Sequence, residues 1–324
     1  MNEMKPIGVS QMNFLIPILL FLIGLVLIVK GGDAFVDAAA WMAEVSGVPK
    51  FVVGATIVSL ATTLPELFVS GIAASQGKVD MALGNAIGSV SANTGLIFAL
   101  SVLFIPAVAK RSAFLPKGTL FLVVILAVWW GCRTGEMGIT GAVVLLILLA
   151  LFLAENLHSG RIASQSEPRQ EYHKEDLRPN LIKFVLGAAS IVVGSQLLVD
   201  NGSTLASAMG ISEKVISLTA ISIGTSLPEL VTTLSAIRRR ESSLSVGNII
   251  GANIIDMTLV LPVCTLVSGG SLPVSASSLT TDLPVCLLIA VIAIIPTLVT
   301  EKLQRWQGAL GLLVYLAYLL FLCV

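Results

Sequence analysis

Two six-residue phrases in this chain nearly repeat one another: Ala61-Thr62-Thr63-Leu64-Pro65-Glu66 and Gly224-Thr225-Ser226-Leu227-Pro228-Glu229. The offset of 163 residues that superimposes them also places Asp37 on Asp200, Gly47 on Gly210, Gly84-Asn85 on Gly247-Asn248, Gly88 on Gly251 and Asn93 on Asp256. A register held without a gap over that distance marks an internal duplication. The fold must therefore be one unit built twice, with the proline and carboxylate at equivalent places in both copies.

The duplicated stretches lie in an unusually apolar chain. Of 324 residues, 56% are hydrophobic and only 12% charged, with mean hydropathy +0.96, too little polar surface to cover a soluble core. The sequence predicts an all-α polytopic membrane protein in contact with the lipid bilayer. Basic and acidic residues balance at 19 each, which gives no reason to expect a nucleic-acid partner. Apolar runs at 14–29, 52–74, 81–108, 120–131 and 139–154 form the first half, and 184–199, 215–237, 244–267, 283–299 and 308–324 the second. Each reaches, alone or with its flanks, the ~20 residues that a crossing helix needs. The run at 14–29 follows Lys5 like a signal peptide, but the repeat offset lays 28–36 on 191–199, so it reads as a retained helix.

Ten helices result, five in 1–155 and five in 183–324, separated by a polar cytoplasmic loop at 156–182 that holds His158 and His173. We read those histidines as part of a solvated linker and the scattered Cys132, Cys264, Cys286 and Cys323 as small core residues. An odd helix count per copy forces the copies into opposite orientations, an inverted-topology repeat. On this plan 15 of the 19 basic residues face one side and only Lys5, Lys78, Arg133 and Lys214 the other. The positive-inside rule then places the loop in the cytoplasm and both termini outside, in a plasma membrane.

Proline inside a helix cannot bond the carbonyl four residues back, so Pro65 and Pro228 free the oxygens of Ala61 and Gly224. Lipid cannot satisfy such oxygens, and broken helices of this kind mark substrate sites in transporters. Thr62, Thr63 and Glu66, repeated as Thr225, Ser226 and Glu229, put hydroxyls and a carboxylate beside them, a set of oxygens suited to hard cations. An ionised side chain at the bilayer centre costs roughly 2.5–3.5 kcal/mol, and no Lys or Arg falls at matching depth to offset Glu66, Glu229 and Asp256. Two glutamates related by an inverted repeat meet near mid-membrane, where a divalent cation balances them; protonated carboxyls bonding between helices are the competing reading. Small-xxx-small spacing at Gly84/Gly88 and Gly247/Gly251 suits close packing. Ser89 and Asn93 share a face, as do Ala252 and Asp256. Asn85 and Asn248 fit either ligation or interhelical hydrogen bonding, and Asp37 and Asp200 a cap or interface.

The paired motifs, TTLPE with GNAIGSVSAN and GTSLPE with GNIIGANIID, resemble the cation/calcium antiporter superfamily, and most closely the prokaryotic sodium/calcium exchangers. The resemblance is strong over 51–96 and 214–259. It implies a calcium site built from Glu66 and Glu229 with the backbone oxygens of Thr62 and Thr225. It further implies sodium sites using the carbonyls of Ser59 and Ser222 and the hydroxyls of Thr63, Ser226 and Ser89, with Asn93 and Asp256 lining the middle position. Thr63 stands where serine is usual and keeps its hydroxyl, whereas Ala252 stands where serine would match Ser89 and removes one from the inner sodium site. Aspartate at 256 also occurs in the potassium-dependent branch, and the proton-coupled branch lacks the proline.

The expected function is sodium-for-calcium exchange by alternating access, with the glycine-bearing first and sixth helices moving and no cofactor required. A calcium/proton or potassium-dependent exchanger and a cation channel are the rivals. An enzyme is not expected: the chain has no Gly-x-Gly-Asp pair, no His-Glu-x-x-His and no histidine within a span.

Overall fold

The computed structural model describes residues 14–104, 111–166, 174–208 and 226–323. In chain order it contains α1 (Leu15–Ser46), α2 (Lys50–Thr62), α3 (Leu64–Ser75) and α4 (Val79–Ala92, Asn93–Phe98 and Ala99–Phe104). Then follow α5 (Arg111–Cys132), α6 (Ile139–Ser166), α7 (Lys174–Ala208), α8 (Leu227–Arg238) and α9 (Ser242–Ile255, Asp256–Val260 and Leu261–Val267). The chain closes with α10 (Ser278–Asp282 and Leu283–Thr300) and α11 (Arg305–Cys323). Eight helices among the described residues are long and apolar enough to cross a membrane, or nine when α2 and α3, bent by 42°, count as one broken span. The protein is a helical polytopic membrane protein.

Two helices occupy the centre. In α9, 83% of the apolar window is buried and in α4 72%, whereas no other unbroken span exceeds 39%. The outer helices present Leu15, Ile16, Leu313 and Leu320 outward, the side chains that lipid solvates. The inner pair carries Asn93 and Asp256, so the fold places the polar residues of the duplicated motifs away from lipid.

Several helices outrun their apolar runs. α1 continues past Val29 to Ser46, and at 1.5 Å per residue its 32 residues extend about 48 Å, more than the ~30 Å hydrocarbon core requires. The polar segment 156–182, expected as a loop, is helical to Ser166 and again from Lys174, because its many Glu, Lys, Arg and Leu residues are good helix formers outside lipid. α5 begins at Arg111, nine residues before the apolar run, and so draws Lys117 inside: its ammonium is 2.7 Å from Glu155 of α6 and lies 5.5 Å from the centre of the Phe51 ring. Lys117 is thus a buried cation that the apolar runs assigned to a loop, though it pairs with Glu155 and not with a motif carboxylate.

Two three-residue strands, β1 (Glu136–Gly138) and β2 (Ser271–Pro273), depart from the purely helical expectation and join two interhelical connections by an antiparallel ladder. Cys132, Cys264 and Cys286 are buried free thiols, as their apolar surroundings indicated.

Candidate ion site

α2 approaches the break through a π-helical turn at Gly54–Val58 and ends at Thr62, before α3 restarts with Pro65 in its first turn. Thr63 sits at the junction. Its amide still bonds Ser59 O at 2.9 Å, so the interruption is a sharp bend within one span, as the proline dictates. α8 starts equivalently, with Ser226 as its cap and Pro228 in the first turn. Thr225 and Ser222, expected to contribute oxygens, lie outside the described residues, as do Gly210 and Lys214.

The central helices carry a second duplicated irregularity. Each contains a π-helical segment, at Asn93–Phe98 in α4 and at Asp256–Val260 in α9. Each begins on the polar residue that the offset pairs with the other. Such turns shift the backbone ladder by one residue and are frequent at functional sites. Nothing in residue type alone announced them; the exact offset between Asn93 and Asp256 was the only pointer.

The expected site side chains are withdrawn from the surface. Glu66 and Glu229 are 0% exposed and Asp256 1%, with Ser59, Thr62, Thr63, Ser89, Asn93 and Ser226 also buried. Thr62 lies beside Glu229, and Asp256 is within electrostatic reach of Glu229. The Thr62 hydroxyl itself donates to Ser59 O at 3.2 Å and Asn248 Oδ1 at 3.4 Å, leaving both Glu229 oxygens outside hydrogen-bonding geometry with any described residue. The same holds for both Asp256 oxygens, the Asn93 amide and the hydroxyls of Thr63 and Ser226. Buried polar atoms are normally satisfied, so these oxygens could accept a bound cation.

Among the described residues, no three His, Cys, Asp or Glu side chains gather as one metal-binding group. A cation here must take hydroxyl, amide and carbonyl oxygens as well as carboxylates, a mixture typical of hard ions. No basic side chain among the described residues pairs with Glu229 or Asp256.

Hydrogen bonds and close backbone contacts tie the helices together around these residues, some within one half and some between the halves. Asn85 Nδ2 donates to Ser70 Oγ at 2.9 Å, and Asn248 Nδ2 to Thr232 Oγ1 at 3.1 Å. The two asparagines therefore bond between helices, with Asn248 also tying α9 to Thr62. Asn253 donates to Thr94 at 2.8 Å, joining α9 to α4, a contact the motif reading missed. A methyl at Gly251 would lie 2.6 Å from both Ala55 O and Ser59 Oγ, and one at Gly247 would overlap the Phe51 carbonyl, so these glycines serve packing. Gly84 has nothing within 4 Å among the described residues.

Asp37 takes an interface role, pairing with Arg239 at the C-terminal cap of α8, while Asp33 pairs with Arg238. Asp200 instead accepts from Gln196 within its own helix at 3.0 Å.

Comparison with known proteins agrees with this architecture. Residues 16–157 and 180–324 match the family described as sodium/calcium exchanger protein. The sodium/calcium exchanger MaX1 of Methanosarcina acetivorans is 30% identical, with 96% of this chain and 98% of that one covered. An uncharacterised membrane protein of Methanocaldococcus jannaschii is 34% identical over 91% of this chain and 94% of its own length. A structure of the sodium-calcium exchanger NCX_Mj soaked with Na+ and Sr2+ superimposes with a TM-score of 0.83 at 30% identity, covering 94% of this chain and 98% of that one. The chain belongs to the sodium/calcium exchanger family.

Proposed function

We propose that this protein exchanges sodium for calcium across a plasma membrane by alternating access, through ten spans arranged as two inverted five-helix repeats. The reading rests above all on Glu229 and Asp256: two buried acids without a basic partner among the described residues, with Thr62 of the bent span beside Glu229 and the equivalent Glu66 likewise buried. Family membership supports both the ions and the class of transport. The 163-residue offset supports the ten-span plan, with α8 as the end of a seventh span.

Glu66 and Glu229 hold calcium, aided by the carbonyls of Thr62 and Thr225. Sodium occupies flanking positions at Ser59, Thr63 and Ser89 and at Ser222 and Ser226, while Asn93 and Asp256 line the middle. Because both ions need the same glutamates, occupancy is mutually exclusive. A carrier that reorients only when loaded then moves one ion against the other. The basic side of the molecule, carrying Arg238, Arg239 and Arg240, is cytoplasmic.

The test is radiolabelled calcium uptake into proteoliposomes preloaded with sodium, with potassium, or with a proton gradient alone. Uptake should require internal sodium and disappear in Glu66→Gln and Glu229→Gln. Uptake driven by the pH gradient alone would transfer the protein to proton coupling, and flux indifferent to the interior ion would refute antiport.

A further inference from the structure

Thr94 and Asn253 join the two central helices where both change their winding. Thr94 is the second residue of the π-helical segment that begins on Asn93 in α4, and Asn253 stands three residues before Asp256, on which the corresponding segment of α9 begins. Asn253 is 1% exposed and Thr94 4%. The Asn253 amide nitrogen donates to Thr94 Oγ1 at 2.8 Å, and Thr94 Oγ1 donates in turn to Val90 O at 2.9 Å. A hydroxyl has one hydrogen to give. Having given it to Val90, Thr94 can only accept, and this fixes which end of the Asn253 amide faces it.

The bond has no mirror image. The 163-residue offset that pairs Asn93 with Asp256 lays Asn253 on Val90 and Thr94 on Met257, two fully buried apolar side chains that cannot form it. Duplication therefore does not account for the pair, and stability accounts for it poorly. Burying an amide is costly unless its groups are bonded, and Asn253 Oδ1 has no hydrogen-bond partner among the described residues. A leucine of similar size would avoid that cost and leave the Thr94 hydroxyl its bond to Val90 O. A half-satisfied amide between the two π-helical segments is better explained by what it holds in place.

We propose that Asn253 is a positioning residue for ion binding: its bond to Thr94 holds the segment that carries Asn93 in register with the helix that carries Asp256. A π-helical turn shifts the backbone ladder by one residue, and the bond spans both such turns at their beginnings. With it in place, Asn93 and Asp256 are already set when a cation arrives. Without it, ion binding must itself order the two helices, which weakens the apparent affinity. That weakening cannot exceed what the bond contributes, about two- to tenfold.

The proposal rests on the reading that Asn93 and Asp256 line the ion position, and its test does not need transport. Equilibrium binding of radiolabelled calcium to the purified protein in detergent is measured for the parent, Asn253→Leu, Thr94→Val, the double variant and Thr94→Ser, with thermal unfolding alongside. Half-saturation should rise about two- to tenfold in Asn253→Leu and in Thr94→Val. The double variant should bind no more weakly than the weaker single one, because both changes remove the same bond. Thr94→Ser keeps the hydroxyl and should bind as the parent does. A lowered unfolding temperature with unaltered half-saturation would reduce the bond to packing and overturn the proposal. Effects that multiply in the double variant would also overturn it, since the two side chains would then act separately. Sodium-driven calcium uptake by vesicles of the parent reports on exchange by itself: the affinity shifts without uptake would defeat the exchanger reading and leave the role of Asn253 standing.

Discussion

Gly251 offers the sharpest test of how the site is assembled. It faces α2 where a methyl would meet Ala55 O at 2.6 Å, Ser59 Oγ at 2.6 Å and Ala55 Cα at 2.7 Å. The serine oxygen can rotate away, but the two Ala55 atoms are backbone and cannot. Gly251→Ala must therefore push α9 from α2 by several tenths of an ångström. Two effects oppose one another: alanine gains about 1 kcal/mol of helix propensity, while overpacking costs about 1–3 kcal/mol. The net change in stability should be a loss of no more than about 2 kcal/mol. Transport should suffer far more. α9 carries Asp256 five residues on and Asn248 three residues back, and misplacement on the order of 1 Å can cost about a hundredfold where reacting groups must align. Sodium-driven calcium uptake in proteoliposomes, with thermal unfolding in detergent alongside, reads both quantities. Gly311→Ala in α11, where nothing lies within 4 Å, is the control and should leave uptake unchanged. Wild-type uptake with raised thermal stability in Gly251→Ala would refute the argument that close backbone approach sets the site.

Two further changes probe the surrounding scaffold. Lys117→Met should destabilise the protein toward the lower end of ~3–5 kcal/mol, since Glu155 loses its partner but keeps some solvent contact; adding Glu155→Leu should recover most of that loss, as thermal unfolding would report. Asn248→Leu removes the hydrogen bonds to Thr62 and Thr232, each worth about 0.5–1.5 kcal/mol. Thermal unfolding should therefore show a modest loss, and calcium uptake a raised half-saturation, because Thr62 is no longer tied to α9.

Much of the architecture was legible because bilayer physics is strict. Apolar runs near 20 residues long marked the helices, and proline within such a run marked the bend at Thr63. The offset between Glu66 and Glu229 singled out the two acids that the fold withdraws completely from the surface. What failed concerned residues whose surroundings come from elsewhere in the chain. Lys117 looked like a loop cation because its burial depends on Glu155 and Phe51, which are distant in sequence. The two strands were missed because three residues in a connection gain meaning only when another connection lies alongside. The role of Asn248 stayed open until Thr62 and Thr232 were seen to bracket it.

The sequence by itself determined that this chain lies in a membrane and that hydroxyls and a carboxylate flank the proline in both copies of a duplicated phrase, since each follows from local composition or self-comparison. Only the tertiary structure decided that Asp37 pairs with Arg239, that Asn253 bonds Thr94 and that Gly251 lies against Ala55. Those contacts join residues more than a hundred positions apart, and their geometry is set by how helices pack, which local pattern does not encode.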